Sequence, residues 1–389
     1  MLFSLILHET TRIVHEGTHV PENIYRKLKK KNDMSPQQVI VCQDLADDLT
    51  RALTQCPYDQ LFVLTDENTR EHCWKVLANQ KGLQKHLSNA HLLCIRPGDT
   101  HKTLEELAQV WTALGDQGAT RHSLLLNLGG GMVTDLGGFA AATFKRGIRF
   151  INLPTTLLAM VDASVGGKTG INFHGLKNEI GNFAPAEYVL IDGTFLRTLD
   201  RENLLSGYAE MLKHGLISTT AHWAELLQFN FDEPDYRQLQ TLAGQSVQVK
   251  EGIVAQDPFE KGIRKALNLG HTVGHAFESF CLETDRPVLH GYAVAWGLVC
   301  ELYLSHLKTG FPADKLRQTL QFIREHYGSL SFDCKQYDRL YELMTHDKKN
   351  TAGTINFTLL SEIGDIQINQ SATKEEIFGL LDFYRETME

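Results

Sequence analysis

Short apolar runs alternate with amphipathic segments over the first half of the chain. The runs are typical of buried strands in length and apolar content, and each ends in turn or polar residues: "QLFVLTDE", "HLLCIRPGD", "SLLLNLGGG", "RFINLPTT" and "YVLIDG". Helical periodicity marks segments between them, such as "TREHCWKVLANQKG" and "THKTLEELAQVWTALGDQG". This order predicts a mainly parallel, Rossmann-like sheet that begins near Val39, is covered by helices and binds ligands at the carboxyl ends of its strands.

After about Leu196 the pattern changes to long segments of helical period. Only "GTINFTLL" and "DIQINQ", near the end of the chain, are typical of strands there. We therefore expect an α/β domain at residues 38–195 and a mostly α-helical domain at 196–389, with pockets favoured between them. Residues 1–37 fit neither pattern, so they are expected to be an N-terminal extension unless Met34 is the true start.

Composition limits the possible functions. With 389 residues and 42% hydrophobic content, the chain is long enough for about two domains with large cores. Its net charge of −9, without a long basic run, gives no footprint for nucleic acid. The seven cysteines contain no CxxC pair, and the apolar start "MLFSLILHE" is too short to span a membrane and a poor signal peptide. We expect a cytoplasmic protein with no membrane partner.

A triple glycine follows one predicted strand in "SLLLNLGGGMVTDLGGFAA". Gly129, Gly130 and Gly131 at the start of a helix, with Asp135 in its first turns, would let backbone amides approach a pyrophosphate. A tight strand-to-helix turn is the alternative, because the spacing is not GxGxxG. Neighbouring strand ends add possible ribose and phosphate contacts, each of which could equally be a cap or turn residue: Asp66, Asn68, Asp99 and Lys102.

Two segments place cations beside glycines or carboxylates. In "PTTLLAMVDASVGGKTGINFHGLKNEIGNF", Asp162 interrupts an apolar run and two glycines precede Lys168; Lys177 and Asn178 follow. Glycines next to lysines suit close approach to an oxyanion, whereas a solvated surface loop is the alternative. In "MTHDKKNTAGTINFTLL", Lys348 and Lys349 alone indicate a charged turn.

Polar side chains recur at helical steps in the segment that contains "LNLGHTVGHAFE". Arg264, Asn268, His271 and His275 follow steps of 4, 3 and 4, which would place them on one helical face between apolar flanks. Buried polar groups need partners, and a catalytic zinc commonly takes three ligands from His, Glu, Asp or Cys. Thr272 stands where a zinc protease has its glutamate, which weakens that interpretation. Two other segments offer further candidate ligands, Glu210 and His290, and spacing alone does not choose between His271 and His275.

Several motifs together resemble the 3-dehydroquinate synthase family of the sugar phosphate cyclase superfamily. They are GGG followed by aspartate, "PTTLLAMVDASVGGKTGIN", "GYAEMLKHG", "NLGHTVGHAFE", "LHGYAVAWG" and "DKKNTAGTINFTLLSEIG". The resemblance runs from about Val39 to the C-terminus. It implies a metal site, with Zn²⁺ or Co²⁺, on Glu210, His271 and His290, and leaves His275 beside a ligand or facing substrate.

The resemblance also implies a set of NAD-binding residues: Asp66, Asp99, Lys102, Gly130, Gly131, Asp135, Thr155, Thr156 and Lys177. Asp99 stands where the family usually has glutamate, which shortens its reach to a ribose. Catalytic roles are expected for Asp162, Lys168, Lys213 and His275. Substrate binding is expected from Arg146, Asn178, Lys250, Arg264, Asn268 and Lys349, and Arg146 would reach across from the partner subunit of a homodimer.

The implied reaction converts 3-deoxy-D-arabino-heptulosonate 7-phosphate into 3-dehydroquinate and phosphate. It combines transient oxidation by NAD, phosphate elimination, re-reduction and an intramolecular aldol closure. An anionic substrate explains why an acidic protein would gather so many lysines and arginines in one pocket. The alternatives are a sister cyclase acting on another sugar phosphate, a metal-dependent alcohol or glycerol dehydrogenase, and a nucleotide-binding module without catalysis.

Overall fold

The computed structural model describes residues 37–174, 176–345 and 355–388. From Gln37 onward the chain forms one compact unit, so the division near residue 195 stays a prediction. The expected N-terminal extension, apart from Gln37, lies outside the described residues, as do Lys348 and Lys349. Within the described ranges, we find no helix that is both long and apolar enough to cross a membrane.

Ten strands occur in the described residues. In chain order they are β1 Gln38–Val41, β2 Leu61–Asp66, β3 His91–Ile95, β4 Leu124–Gly129, β5 Arg149–Pro154, β6 Lys168–Phe173, β7 Leu176–Phe183, β8 Tyr188–Ile191, β9 Asn356–Glu362 and β10 Asp365–Ser371. Six of them form a sheet in the order β1-β8-β5-β4-β2-β3, in which every pair is parallel. The predicted Rossmann-like sheet is thereby confirmed, and the predicted strands near the C-terminus pair as the antiparallel ladder β9–β10.

Helices of eight residues or more are numbered separately. They are α1 Leu45–Gln55, α2 Leu104–Asp116, α3 Gly131–Thr143, α4 Arg201–Leu216, α5 Thr220–Leu227, α6 Tyr236–Gln256, α7 His271–Glu283, α8 His290–Thr309, α9 Ala313–Tyr327, α10 Tyr337–Thr345 and α11 Lys374–Met388. Side-chain caps fix several starts: Asp200 accepts a hydrogen bond from the Asn203 amide at 2.7 Å and begins α4. Eight of these helices follow the sheet, which confirms the helical second half.

Shorter helical segments complete the described chain. They are Glu67–Thr69, Arg70–Trp74, Lys75–Ala78, Lys81–Leu83, Gln84–Leu87, Asp99–His101, Phe144–Arg146, Ala159–Ala163, Gly193–Thr198, Ile263–Asn268 and Cys334–Gln336. Four of them carry predicted site residues: Asp99 begins Asp99–His101, Arg146 ends Phe144–Arg146, Asp162 lies in the π-helical turn Ala159–Ala163, and Arg264 and Asn268 lie in the 3₁₀ segment Ile263–Asn268.

Glycines let the helices of the second half approach one another closely. A Cβ on Gly297 of α8 would lie 2.0 Å from the Gly270 carbonyl oxygen, and one on Gly291 would lie 1.9 Å from the Ser206 carbonyl oxygen. Neither contact is possible for a larger residue without movement of the backbone. Helix α8 can therefore lie directly against α4 and against the start of α7, and these three helices carry the candidate metal ligands.

Two expectations about local structure were wrong. Arg264 and Asn268 do not continue the helix of His271 and His275, because Gly270 has φ +79° and separates the 3₁₀ segment from α7. The surface loop offered as the alternative for the segment after Gly167 is wrong too, because this segment is the antiparallel hairpin β6–β7. Strand β7 is exposed along nearly its whole length, so it lacks the alternation by which half-buried strands are recognised.

Candidate active site

Four polar side chains from the three helices α4, α7 and α8 meet in one cluster. Glu210 lies in the middle of α4 and is fully buried. Its Oε1 atom is 3.3 Å from Nε2 of His271 and 3.4 Å from Nε2 of His290. His275, one turn after His271, has its ring centre 5.3 Å from that of His271 and 5.8 Å from that of His290. The three imidazoles offer nitrogens within 4.8 Å of one another.

The hydrogen bonds of the two imidazoles nearest the carboxylate decide which ring nitrogens face it. Nδ1 of His271 lies 3.0 Å from the Leu269 carbonyl oxygen, and Nδ1 of His290 lies 3.1 Å from Oε2 of Glu278. Both acceptors require a proton on Nδ1, so in the neutral imidazole, the form that binds a metal, each Nε2 would direct a lone pair towards Glu210. No described residue makes a well-formed hydrogen bond to Glu210 Oε1. Three acceptor atoms without a proton between them suit a cation, and the donor set fits Zn²⁺ or Co²⁺.

The charges around the carboxylates support the same conclusion. Burial opposes ionisation of Glu210, but Lys213 and His271 outweigh it and hold its pKa well below the usual range. Burial also disfavours a charged His290, yet Glu210 and Glu278 raise its pKa to about 10. Without a metal the pocket therefore binds a proton at His290 strongly. A pocket that attracts a proton so strongly offers the negative charge that a divalent cation requires.

Asp162 and three predicted substrate cations lie next to the cluster. Lys213, fully buried, donates to the second oxygen of Glu210. Lys250 donates to Oδ1 of Asp162 at 2.6 Å. Burial raises the pKa of Asp162, but Lys250 outweighs burial and keeps the carboxyl well below its ordinary pKa. Arg264 is buried beside the same turn and donates to the Gly166 carbonyl at 3.3 Å. The structure thus gathers these side chains on one side of the cluster.

Lys168 and Asn268 share a partner that the sequence analysis overlooked. Glu260 accepts hydrogen bonds from the Lys168 ammonium and, at 3.1 Å, from the Asn268 amide. Its backbone has φ +58°, which is uncommon for a residue with a side chain. The two hydrogen bonds join the start of β6 and the 3₁₀ segment to Glu260 in the loop before that segment. A carboxylate of the protein itself therefore lies where two predicted site residues meet. The glutamate in "DPFEKGIR" looks like an ordinary surface charge in the sequence.

The glycine turn and several residues predicted to bind NAD lie around the start of α3. Gly130 precedes α3, and a Cβ there would lie 3.1 Å from a methyl group of Thr156; a Cβ on Gly131 would lie 3.1 Å from Ala163. Lys102, buried, contacts Asp135 at 3.0 Å and Asp99 at 3.1 Å. Burial opposes the charge of Lys102, but these two carboxylates raise its pKa. The Lys102 ammonium is already paired with these two carboxylates, so within the protein it fixes Asp99 and Asp135 beside the start of α3.

Other predicted residues have simpler positions. Asp66 accepts a hydrogen bond from the Thr69 amide at 2.7 Å and so caps a short helix. The Thr155 amide donates to the Gly129 carbonyl at 3.0 Å. Asn178, with φ +50°, lies exposed on β7. Arg146 is exposed on the turn after α3. None of these four shares a hydrogen bond with the metal cluster in the described part of the chain.

Sequence reasoning also missed two glutamates that position the histidines. Glu278 lies seven residues after His271 and three after His275, which is the same face of α7, and this spacing could have revealed it. Glu301 is fully buried in α8 and accepts bonds from the amides of Gly270, Thr272 and Val273 at 2.7, 2.9 and 3.1 Å. Its signal in the sequence was a single acid within the apolar run "GYAVAWGLVCELYL". Glu301 anchors the start of α7, the helix that carries His271.

Comparisons with known proteins converge on one family. Residues 92–206 match the profile described as 3-dehydroquinate synthase N-terminal, and residues 207–350 match 3-dehydroquinate synthase C-terminal. A 3-dehydroquinate synthase from Parabacteroides distasonis is 59% identical over 354 residues, covering 91% of this chain and 99% of that protein. Sequence identity of this extent, over almost the full length of both proteins, is sufficient to establish family membership.

Solved structures give the same architecture. A 2-epi-5-epi-valiolone synthase from Streptomyces hygroscopicus, solved with NAD⁺ and Zn²⁺ bound, superposes with a TM-score of 0.79 at 26% identity and covers 91% of this chain and 98% of its own. A 2-deoxy-scyllo-inosose synthase, complexed with carbaglucose-6-phosphate, NAD⁺ and Co²⁺, has a TM-score of 0.76 at 22% identity and covers 90% and 96%. The second likeness concerns the fold alone.

Proposed function

The chain belongs to the 3-dehydroquinate synthase family, a family of shikimate-pathway lyases, and on that premise we propose which residues perform its reaction. The substrate is a sugar phosphate, 3-deoxy-D-arabino-heptulosonate 7-phosphate, and the products are 3-dehydroquinate and phosphate. The cofactors are NAD and one divalent metal, Zn²⁺ or Co²⁺. The observation that carries the assignment is the convergence of two imidazole nitrogens, at 3.3 and 3.4 Å, on one buried carboxylate oxygen of Glu210.

Glu210, His271 and His290 are proposed to hold the metal. When bound, NAD⁺ takes up and returns a hydride while the metal polarises the reacting hydroxyl. Lys213 shares the Glu210 carboxylate, so its ammonium is fixed at the edge of the same site. His275 lies beside both ligand histidines and is proposed to assist proton transfer near the leaving phosphate. Burial of Glu210 and Lys213 keeps water from this part of the pocket.

The remaining cations are proposed to hold the two ends of the substrate. Lys250 and Arg264 flank Gly166, and Asp162 fixes Lys250 by a 2.6 Å hydrogen bond. Lys168 and Asn268 form a second group of donors around Glu260. Two groups of donors match a substrate with a carboxylate and a phosphate. Asn178 and Lys349 remain proposed additional ligands, as in the sequence analysis.

The experiment measures phosphate release and absorbance of NADH when purified protein meets the heptulosonate phosphate and substoichiometric NAD⁺. We expect many phosphates per NAD⁺, no lasting NADH, and loss of activity with a chelator. Accumulation of NADH in step with substrate consumption would instead indicate a dehydrogenase. Phosphate release from another sugar phosphate alone would indicate a sister cyclase.

Matched variants test the metal assignment. His271→Ala should lose both bound metal and activity, because it removes a proposed ligand. His275→Asn should keep one metal per chain while turnover falls about 10²-fold or more, the usual contribution of a proton-transfer group. Loss of metal in His275→Asn with retention in His271→Ala would reverse the two assignments.

A homodimer in which Arg146 serves the partner's pocket is also proposed. Lys145, Arg146 and Gly147 all have positive φ, at 49°, 70° and 110°, and this strained turn holds Arg146 exposed. Co-expression of Arg146→Ala with Lys250→Ala should restore activity, since a mixed dimer has one pocket with both residues intact. Failure to restore activity in a dimer that does mix would show that Arg146 acts within its own chain.

The cytoplasmic location predicted from the sequence is supported by chemistry. All seven cysteines are unpaired, as in proteins of reducing compartments.

A further inference from the structure

A chain of alternating charges runs from the glycine turn to the candidate metal site. Beyond the Asp135–Lys102–Asp99 contacts, Asp99 Oδ2 lies 3.8 Å from the Lys177 ammonium. Lys177 lies 2.6 Å from Oε1 of Glu278, and Oε2 of Glu278 lies 3.1 Å from Nδ1 of His290. The residues expected to bind the dinucleotide are therefore joined to a proposed metal ligand by consecutive polar contacts.

The decisive link is the carboxylate of Glu278. Its side chain is only 10% exposed, and its two oxygens face two different donors. One donor is Lys177, from the hairpin of the α/β part, whose side chain is 49% exposed. The other is the imidazole of His290, the first residue of α8. Lys177 and Glu278 are 101 residues apart in sequence, so this carboxylate connects two distant segments.

We propose that Glu278 couples binding of the dinucleotide to binding of the metal, with Lys177 as the group that responds to the dinucleotide. The proposal rests on the proposed function for the identity of the two ligands. Glu278 is a positioning residue, since it acts through His290 and through Lys177.

The sign of the coupling follows from competition for one negative charge. A hydrogen bond from Nδ1 to a carboxylate makes the opposite ring nitrogen a better metal ligand. Lys177 draws part of that carboxylate's charge away from His290. An anion such as a pyrophosphate attracts the Lys177 ammonium and leaves more of the charge of Glu278 for His290. NAD⁺ should therefore tighten metal binding, and the metal must tighten NAD⁺ binding by the same factor.

The test measures the affinity of the metal-free protein for Co²⁺, by competition with a chelating dye, without NAD⁺ and with saturating NAD⁺. For the unaltered protein we expect about a tenfold tightening by NAD⁺, within the usual range of coupling between sites. Glu278→Gln should weaken Co²⁺ binding about 10- to 100-fold. In this variant the Co²⁺ affinities with and without NAD⁺ should be nearly equal. Glu278→Asp, which keeps the charge, should recover part of the affinity.

The substitution Lys177→Met distinguishes the proposed coupling from a merely structural role of Lys177. It should tighten Co²⁺ binding in the absence of NAD⁺, and NAD⁺ should then add little. In the Glu278→Gln background the same lysine substitution should have no effect; a persisting effect would show that Lys177 acts through space and would overturn the proposal. Lys308→Met, which removes a surface ion pair with Glu376, is the matched control and should change nothing.

Failure of this proposal is distinguishable from failure of the proposed function. A protein that releases phosphate catalytically, yet whose Co²⁺ affinity is the same with and without NAD⁺, keeps the function and loses the coupling.

Discussion

Removal of the Glu301 carboxylate should destabilise the start of α7 and, with it, the metal site. The helix begins at His271, and its first amides have no partner within the helix. Glu301 satisfies three of the amides at this start, at 2.7, 2.9 and 3.1 Å, from within a fully buried position on α8. The carboxylate also lies at the positive end of the helix dipole.

The magnitude follows from these contacts. Each buried donor left without a partner costs about 1–3 kcal/mol, so Glu301→Ala should lower the free energy of unfolding by about 4 kcal/mol. Glu301→Gln keeps one acceptor oxygen but turns an NH₂ group towards at least one amide donor, so about 2 kcal/mol is expected. Because His271 is the first residue of the helix, both variants should also bind Co²⁺ more weakly. The loss of affinity should be larger for Glu301→Ala than for Glu301→Gln.

Urea denaturation followed by circular dichroism measures the first quantity, and the chelating-dye competition measures the second. Glu325→Ala and Glu325→Gln, at an exposed position of α9, are the matched controls and should stay within about 0.5 kcal/mol of the unaltered protein. If Glu301→Ala were within 1 kcal/mol of the unaltered protein while the controls behaved as expected, the argument that this carboxylate anchors the helix start would be refuted.

Three further predictions concern packing, pH and metal. Gly297→Ala should cost about 3 kcal/mol or more, because its Cβ would lie 2.0 Å from a backbone oxygen, whereas Gly379→Ala, with open space around it, should stabilise by about 0.5–1 kcal/mol; equal urea midpoints would contradict the packing argument. Burial lowers the pKa of His222, which lies 3.0 Å from the Ser246 hydroxyl, so the unfolded chain takes up a proton that the folded one refuses. Stability should therefore fall as the pH drops below about 6.5, and His222→Gln should reduce that slope by up to about 1.4 kcal/mol per pH unit. Chelation should abolish activity and Co²⁺ or Zn²⁺ should restore it; full activity in a protein shown to be metal-free would exclude the metal from the reaction.

Local patterns predicted much of the fold. Strand β4, "LLLNLG", is buried at every position, as its continuous apolar run indicates. The helices α4 and α8 both lie after Leu196, in the part of the chain for which long helical segments were expected. The glycine turn, the paired histidines and the motif "GGKTGIN" with Lys168 are local, so the resemblance to the family could be recognised without tertiary information.

Tertiary packing decided how the candidate site is assembled. The sequence could not show that Glu278 lies between Lys177 and His290, that Glu260 joins Lys168 to Asn268, or that Glu301 anchors a different helix. Hairpin β6–β7 escaped detection because both faces of β7 are largely exposed, and Gly270 divided a face that looked continuous.

The physical reason is the range over which each signal acts. Propensity and periodicity depend on neighbours within a few turns or strand residues, and the sequence by itself therefore determined the elements and their motifs. The partner of a charged side chain depends on which segments pack together, here residues 88 apart for Lys250 and Asp162 and 101 apart for Lys177 and Glu278. Burial then makes those partners obligatory, because a charge removed from water is stable only where packing supplies its counter-charge.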